Sequence, residues 1–183
     1  MMMSAARTQL LIVDMQERLM PSMVEGERAL ANAIRLVKAA EILAIPALSS
    51  EQYPQGLGPT IAPLKEAMGP APRFEKLSFS AAADPKIARH IRDEATWGRD
   101  QIVLAGVETH VCVLQSALGF RKMGLSVFVV ADAAAAHAPE SAALAFHRLR
   151  SAGVAVVDSD MALFEWLGAA GTPRFKAMRS LLK

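Results

Sequence analysis

The stretch Gln101-Ile-Val-Leu-Ala-Gly106-Val-Glu-Thr-His-Val-Cys112-Val-Leu-Gln-Ser-Ala-Leu-Gly-Phe120-Arg-Lys-Met123 changes its hydrophobic period partway along. Gln101 to Val107 is an almost unbroken apolar run of strand length, the pattern of a strand covered on both faces. From Thr109 to Met123 the apolar residues Val113, Leu114, Ala117 and Phe120 recur at helical spacing. A strand that runs directly into a helix is the repeating half of a parallel sheet with crossover helices.

The same alternation extends outward in both directions. Thr8 to Val13 is a second apolar run, ending at Asp14, and Glu25 to Leu43 carries Leu30, Ile34, Val37, Ala40 and Ile42 at helical spacing. Ile45 to Ser49 predicts a short strand and Arg73 to Leu77 another. Asp84-Pro85 opens a helix to about Trp97, with Asp as N-cap and Pro in the first turn. Further on come a strand over Leu125–Ala131 ending at Asp132, a helix over Pro139–Ser151, a strand over Val154–Val157 and a helix over Asp160–Leu167. Thr172-Pro173 caps a short last helix. Residues 51–73 break the rhythm: rich in Gly and Pro, they read as loop with one short helix, an excursion suited to face a substrate. About six strands alternate with helices, which gives a single α/β domain over residues 1–183, a three-layer αβα arrangement around a parallel sheet.

Composition narrows the function classes. The 183 residues are 52% hydrophobic, enough for a substantial core, and the net charge is only +2 with 5% aromatic residues. No basic stripe interleaved with stacking rings is present, which argues against nucleic-acid binding. No apolar run reaches membrane-spanning length, and the N-terminus lacks the pattern of a signal peptide. The chain has one cysteine, so no internal disulfide forms. That fits a reducing cytoplasm and makes Cys112 a candidate nucleophile, against the plainer role of a small buried hydrophobe.

In an open parallel sheet, ligands bind outside the carboxyl ends of the strands. That rule gathers Asp14, Glu51, Gln52, Lys76, Glu108, Thr109, Cys112, Asp132 and His137 toward one edge. Cys112 falls in the first turn of a helix, where unpaired N–H groups and the helix dipole favour a thiolate and can hold an oxyanion. Asp14, at a neighbouring strand end, is the candidate base, and Lys76 supplies balancing positive charge. Taken singly, Asp14 reads equally as a loop cap and Lys76 as a solvated lysine; together with Cys112 they form a reactive set.

Three segments carry a family resemblance. Leu11-Ile-Val-Asp14-Met-Gln16, Glu75-Lys76-Leu-Ser-Phe-Ser80 and Gly106-Val-Glu-Thr-His-Val-Cys112-Val resemble, in this order, the signature segments of the isochorismatase-like cysteine hydrolases. Ser50-Glu-Gln-Tyr-Pro-Gln-Gly-Leu-Gly-Pro59 and Pro173-Arg-Phe-Lys-Ala-Met178 are similar to the isochorismatase-domain-containing subgroup. The resemblance implies a Rossmann-like, six-stranded parallel sheet bearing an Asp–Lys–Cys triad at Asp14, Lys76 and Cys112. It also implies a cis peptide at Val107–Glu108 and an oxyanion hole made by the N–H groups of Glu108 and Cys112. Dimers and larger closed assemblies are common in the family.

Two departures from the family refine the expectation. The nicotinamidase branch has an Asp-x-His metal pattern after the second strand, where this chain has Glu51-Gln-Tyr-Pro54. No pair among His90, His110, His137 and His147 has ligand spacing with a nearby carboxylate except by chance, so neither metal nor cofactor is expected. Isochorismate cleavage hydrolyses a vinyl ether without a thiol, whereas a cysteine points to an acyl-enzyme route on an amide-type C–N bond of a small molecule. Gln16, Tyr53 and His110 are the candidate substrate-binding residues. Leu57 and Phe79 are further candidates for the pocket wall; Trp97, being on a helix, reads rather as core. A homo-oligomer that completes the pocket is expected, because Phe175, Met178, Leu181 and Leu182 lie beyond the last core helix and call for a partner surface. The competing readings are a binding or scaffold protein that keeps the fold and a redox-sensing thiol, the latter weakened by the lack of a resolving cysteine.

Overall fold

In the computed structural model, which describes residues 1–182, every strand is parallel to its neighbours. The strands are β1 (Thr8–Val13), β2 (Ala47–Gln52), β3 (Arg73–Lys76), β4 (Gln101–Val107), β5 (Ser126–Ala135) and β6 (Ala155–Val157), ordered β3-β2-β1-β4-β5-β6. The order reverses between β1 and β4, so their carboxyl ends open the crevice where such sheets bind ligands.

Strand side chains alternate between two cores. Leu10, Ile12, Val103, Ala105, Phe128 and Val130 face one layer, made by α1 (Gly26–Ile42), α3 (Ala62–Met68), α7 (Ser159–Leu167) and α8 (Pro173–Met178). Leu11, Val13, Ile102, Leu104, Val127 and Val129 face the other, made by α4 (Pro85–Thr96), α5 (Leu114–Lys122) and α6 (Pro139–Ser151). Both faces are covered, which is why β1 and β4 read as continuous apolar runs. The Asp84 carboxylate caps α4, accepting from the N–H groups of Lys86 and Ile87 at 2.9 and 3.1 Å.

Four sequence expectations are corrected. The segment after β2 holds two short helices, α2 (Pro54–Leu57) and α3, not one. β2 runs on to Gln52, so Glu51 and Gln52 belong to the strand itself. β5 continues past Asp132 to Ala135; its register with β4 shifts between Leu104 and Gly106, and Ala133–Ala136 lie buried and extended. Trp97 is 76% exposed, beyond the end of α4, and is no part of the core.

The C-terminal tail also differs from expectation. Met178 is fully buried in the α1-side core, with Leu181 and Leu182 packed against it, and Phe175 half-buried. The Arg35 side chain of α1 binds the Leu181 carbonyl and pairs with Asp160. The tail therefore folds onto its own chain, and its apolar residues do not call for a partner.

Candidate active site

The sheet brings the ends of β1, β2, β3 and β4 together around one buried carboxylate. Val13 pairs with Ser50 on one side and Gly106 on the other, so Asp14 emerges between β2 and β4. Gly106 lies at φ +125°, and a Cβ there would fall 2.0 Å from the Val13 carbonyl oxygen. Only glycine lets β4 approach the end of β1 this closely. Asp14 itself turns left-handed at φ 50°, a conformation that Asp tolerates better than most residues.

Asp14 is fully buried, and its carboxylate is held from two directions. Ser50 Oγ donates to Oδ1 at 2.7 Å, and Lys76 Nζ donates to Oδ2 at 2.7 Å. Lys76 is buried too, and its ammonium also donates to Gln52 Oε1 at 2.7 Å and reaches the Ser78 and Phe79 carbonyls, both at 3.2 Å. Residues 77–79 thus wrap their backbone around the ammonium and turn Leu77 and Phe79 outward, 76% and 55% exposed. A buried ion pair is tolerated when its remaining protons and lone pairs are satisfied, as here.

Cys112 sits 6% exposed in Thr109–Val113, which winds as a single π-helical turn before α5 begins. The Val111 and Val113 N–H groups both donate to the Glu108 carbonyl, at 3.1 and 3.2 Å. Such turns recur at functional sites. The Val107–Glu108 peptide is cis, as the resemblance implied. The thiol does not behave as the dipole argument suggested. Burial pushes its pKa up to about 12, and the negative charge of Asp14 adds to the rise while Lys76 opposes it. Desolvation and a nearby carboxylate outweigh the helix dipole, so the resting group is a neutral thiol.

Among the candidate substrate-binding residues, Gln16 is fully buried and occupied. Its amide donates to the Gln52 and Gly58 carbonyls at 2.9 and 2.7 Å and accepts from the Gln52 N–H at 2.7 Å, bracing the β2–α2 loop. Glu51 braces the same loop by accepting from both the N–H and the hydroxyl of Thr60. Tyr53 is half-exposed and borders a cleft of about 640 Å³ along with Lys76, Leu77, Ser78 and Asp84. A larger cavity, about 910 Å³, lies at the opposite ends of β2 and β3 and includes none of the candidate residues. His110 stands beside Glu108, its Nε2 3.9 Å from Oε2.

The residue missed in the sequence is Ser50, which holds Asp14; Gln52, which the strand rule brought to this edge, holds Lys76. The signal was the polar run Ser49-Ser50-Glu51-Gln52 closing a buried strand, where polar side chains must have partners. Asp132, gathered to the site edge by the strand rule, instead faces α1 and α7: its carboxylate accepts from the Ser159 N–H and hydroxyl at 2.8 and 2.6 Å and from Asn32 at 3.0 Å. Two histidines that no sequence spacing pairs do meet a carboxylate in the fold. His137 Nδ1 lies 2.7 Å from Glu108 Oε2, with the His110 ring edge-on to His137 at a centroid distance of 4.9 Å.

A doubly wound six-stranded parallel sheet with its ligand crevice at the β1–β4 switch point is the fold of the isochorismatase-like hydrolases. The isochorismatase domain model matches residues 8–161, and the chain belongs to that family. It is 36% identical over 174 residues to isochorismatase domain-containing protein 2 of Bos taurus, covering 95% of this chain and 82% of that one. It is 31% identical over 167 residues to the secreted isochorismatase effector Isc1 of Phytophthora sojae, covering 90% and 76%. The solved MAR1 ribonuclease of Caenorhabditis elegans superposes with a TM-score of 0.92 at 30% identity, covering 99% of this chain and 92% of that one. The YcaC gene product of Escherichia coli, described as an octameric hydrolase of unknown specificity, shares the fold at a TM-score of 0.89 and 22% identity, over 98% and 90% of the two chains. Among the described residues, no helix is long and apolar enough to cross a membrane.

Proposed function

We propose that the chain is a cysteine hydrolase acting on the C–N bond of a small amide-type substrate. The observation that carries the reading is the buried ion pair in which Lys76 holds one oxygen of Asp14 at 2.7 Å, with the Asp14 charge near enough to the Cys112 thiol to raise its pKa. A thiol whose pKa stands near 12 is a poor nucleophile unless its proton leaves as the sulfur attacks. Asp14 takes that proton, and the sulfur bonds to the substrate carbonyl carbon. The N–H groups of Glu108 and Cys112 meet the oxyanion. Asp14 then protonates the leaving amine as the C–N bond breaks, leaving a thioester. Water, deprotonated by Asp14, cleaves the thioester; the acid departs and the proton returns to sulfur. Lys76 balances the charge of the site and keeps Asp14 in place. No cofactor enters this sequence.

The site is also proposed to be completed by a second copy of the chain. Leu77 and Phe79 stand exposed on the segment that wraps Lys76, beside the cleft of Tyr53. Apolar side chains at that point favour a covering surface, and the Escherichia coli neighbour is described as an octamer. A ribonuclease reading, prompted by the name of the nematode neighbour, fits less well. Asp14 and Glu108 place negative charge beside the thiol, and Lys76 is committed to Asp14, which leaves little to meet a phosphodiester.

The test is a panel of small amides, ureides and nicotinamide assayed for ammonia release by wild type and Cys112→Ala. Turnover lost in Cys112→Ala supports the thiol mechanism. Turnover retained near wild type refutes it, and a wild type inert toward every C–N substrate favours the scaffold reading.

A further inference from the structure

We propose that Glu108, His110 and His137 form a binding site for a borderline divalent transition metal of the zinc or cobalt type, at the rim of the cysteine site. The proposal is independent of the thiol mechanism.

The donors come from two strand ends. Glu108 and His110 lie in the turn after β4, and His137 follows β5. One ligand atom from each can be chosen so that all three lie within 4.8 Å of one another. Glu108 Oε2 is 2.7 Å from His137 Nδ1 and 3.9 Å from His110 Nε2, distances that bracket the separation of ligands around a tetrahedral ion with bonds of about 2.0–2.2 Å and that small side-chain rotations would bring to it. A cation entering here takes the place of the proton between Glu108 and His137, as metal binding to imidazole generally requires.

Both arms are fixed by backbone bonds that the metal does not disturb. The Glu108 carbonyl accepts from Val111 and Val113, and the Ala136 carbonyl, one residue before His137, accepts from the Val24 N–H at 2.9 Å. The cluster is reachable from solvent yet sheltered: the His137 side chain is 55% exposed, against 24% for His110 and 22% for Glu108. Two imidazoles with one carboxylate suit zinc, cobalt or iron(II) and not calcium or magnesium, which prefer all-oxygen sites. Three protein ligands leave further positions for water, as in open rather than closed zinc sites.

The charge of the site gives the cation a place. Asp14 is balanced by Lys76, whereas among the described residues no lysine or arginine pairs with Glu108; its partners are the two histidines. The site also differs in location from the Asp-x-His pattern sought after β2. There Glu51 is spent on Thr60 and Gln52 on Lys76 and Leu77.

The experiment is titration of metal-free, full-length protein with cobalt(II) alone, followed by its visible absorption and by equilibrium dialysis, and repeated with zinc(II). Wild type is expected to bind one equivalent per chain, with ligand-field bands of a low-coordinate ion. His137→Ala, which alters an exposed side chain, is expected to weaken binding at least about tenfold. Cys112→Ala is expected to bind as wild type does. Absence of saturable binding by wild type overturns the proposal. So does equal binding by His137→Ala, or a thiolate-to-cobalt charge-transfer band that disappears in Cys112→Ala.

Discussion

At the scale of the residue, Asp14 and Lys76 are defined by what each would cost if left alone. Lys76→Ala removes the only ammonium, among the described residues, that touches a carboxylate with no solvent exposure. Breaking one side of such a pair costs roughly 3–5 kcal/mol, more than the pair contributes over a neutral replacement. The double variant Lys76→Ala/Asp14→Asn is therefore expected to be more stable than Lys76→Ala alone in urea unfolding, although both lack activity. A double variant less stable than either single change would show that the pair is not the determinant. Asp14→Asn bears also on the thiol. Asp14 raises the Cys112 pKa and Lys76 lowers it, so removing the aspartate charge while keeping the lysine moves the thiol down from about 12. Iodoacetamide labelling of wild-type Cys112 should be slow at pH 8 and still climbing above pH 10. Asp14→Asn should label faster at pH 8 even as hydrolysis is lost. Slower labelling of Asp14→Asn would contradict the shared proton.

At the scale of the element, the site depends on how β4 and β5 end. Gly106→Ala drives a Cβ into the Val13 backbone at a φ that L residues rarely adopt, and no flexible side chain is available to give way. A loss of at least about 3 kcal/mol is expected, read as a shift in the denaturation midpoint, placing it in the destabilising tail of single substitutions. Asp132→Ala should cost about 2–4 kcal/mol by stranding Ser159 and Asn32. It should leave the labelling of Cys112 unchanged, since Asp132 faces α1 and α7. These two strand ends also mark how far the sequence can be read. Apolar period distinguishes β1, β4, α1 and α5, because each has a whole face or both faces buried. It does not show that Ala133–Ala136 run extended, since alanine carries no preference for strand and little volume to signal burial. The shift of register there decides which residues reach the site. It turns Asp132 away and brings His137 to Glu108, a meeting across 29 residues that no local spacing encodes. The three signature segments were legible because they lie where strands stop and loops begin. Ser50 was not, nor was the bond from Lys76 to Gln52, because hydrogen bonding between neighbouring strands depends on register.

At the scale of the whole molecule, the proposed assembly requires a surface for a second copy to cover. The C-terminal tail is excluded, because Met178 is already buried and Leu181 and Leu182 pack on α1. The exposed apolar side chains nearest the site are Leu77, Phe79 and Tyr53, at 76%, 55% and 51%. Leu77 and Phe79 stand on a segment whose carbonyls serve Lys76 and Gln52, so their own side chains do nothing for the monomer fold. That separation makes the prediction clean. Light scattering at micromolar concentration should give a multiple of 19.6 kDa for wild type. Leu77→Asp and Phe79→Asp should each shift the mass toward 19.6 kDa without lowering thermal stability in proportion to a core change. A buried aspartate at an apolar interface, unlike one on an open surface, must shed its water without a partner. Ammonia release by the dissociated variants should fall while Cys112 labels at least as fast as before, because the thiol and Asp14 are assembled within one chain and only the cover is lost. A wild type of monomer mass would refute the assembly. Assembly that survives both aspartates would move the interface elsewhere.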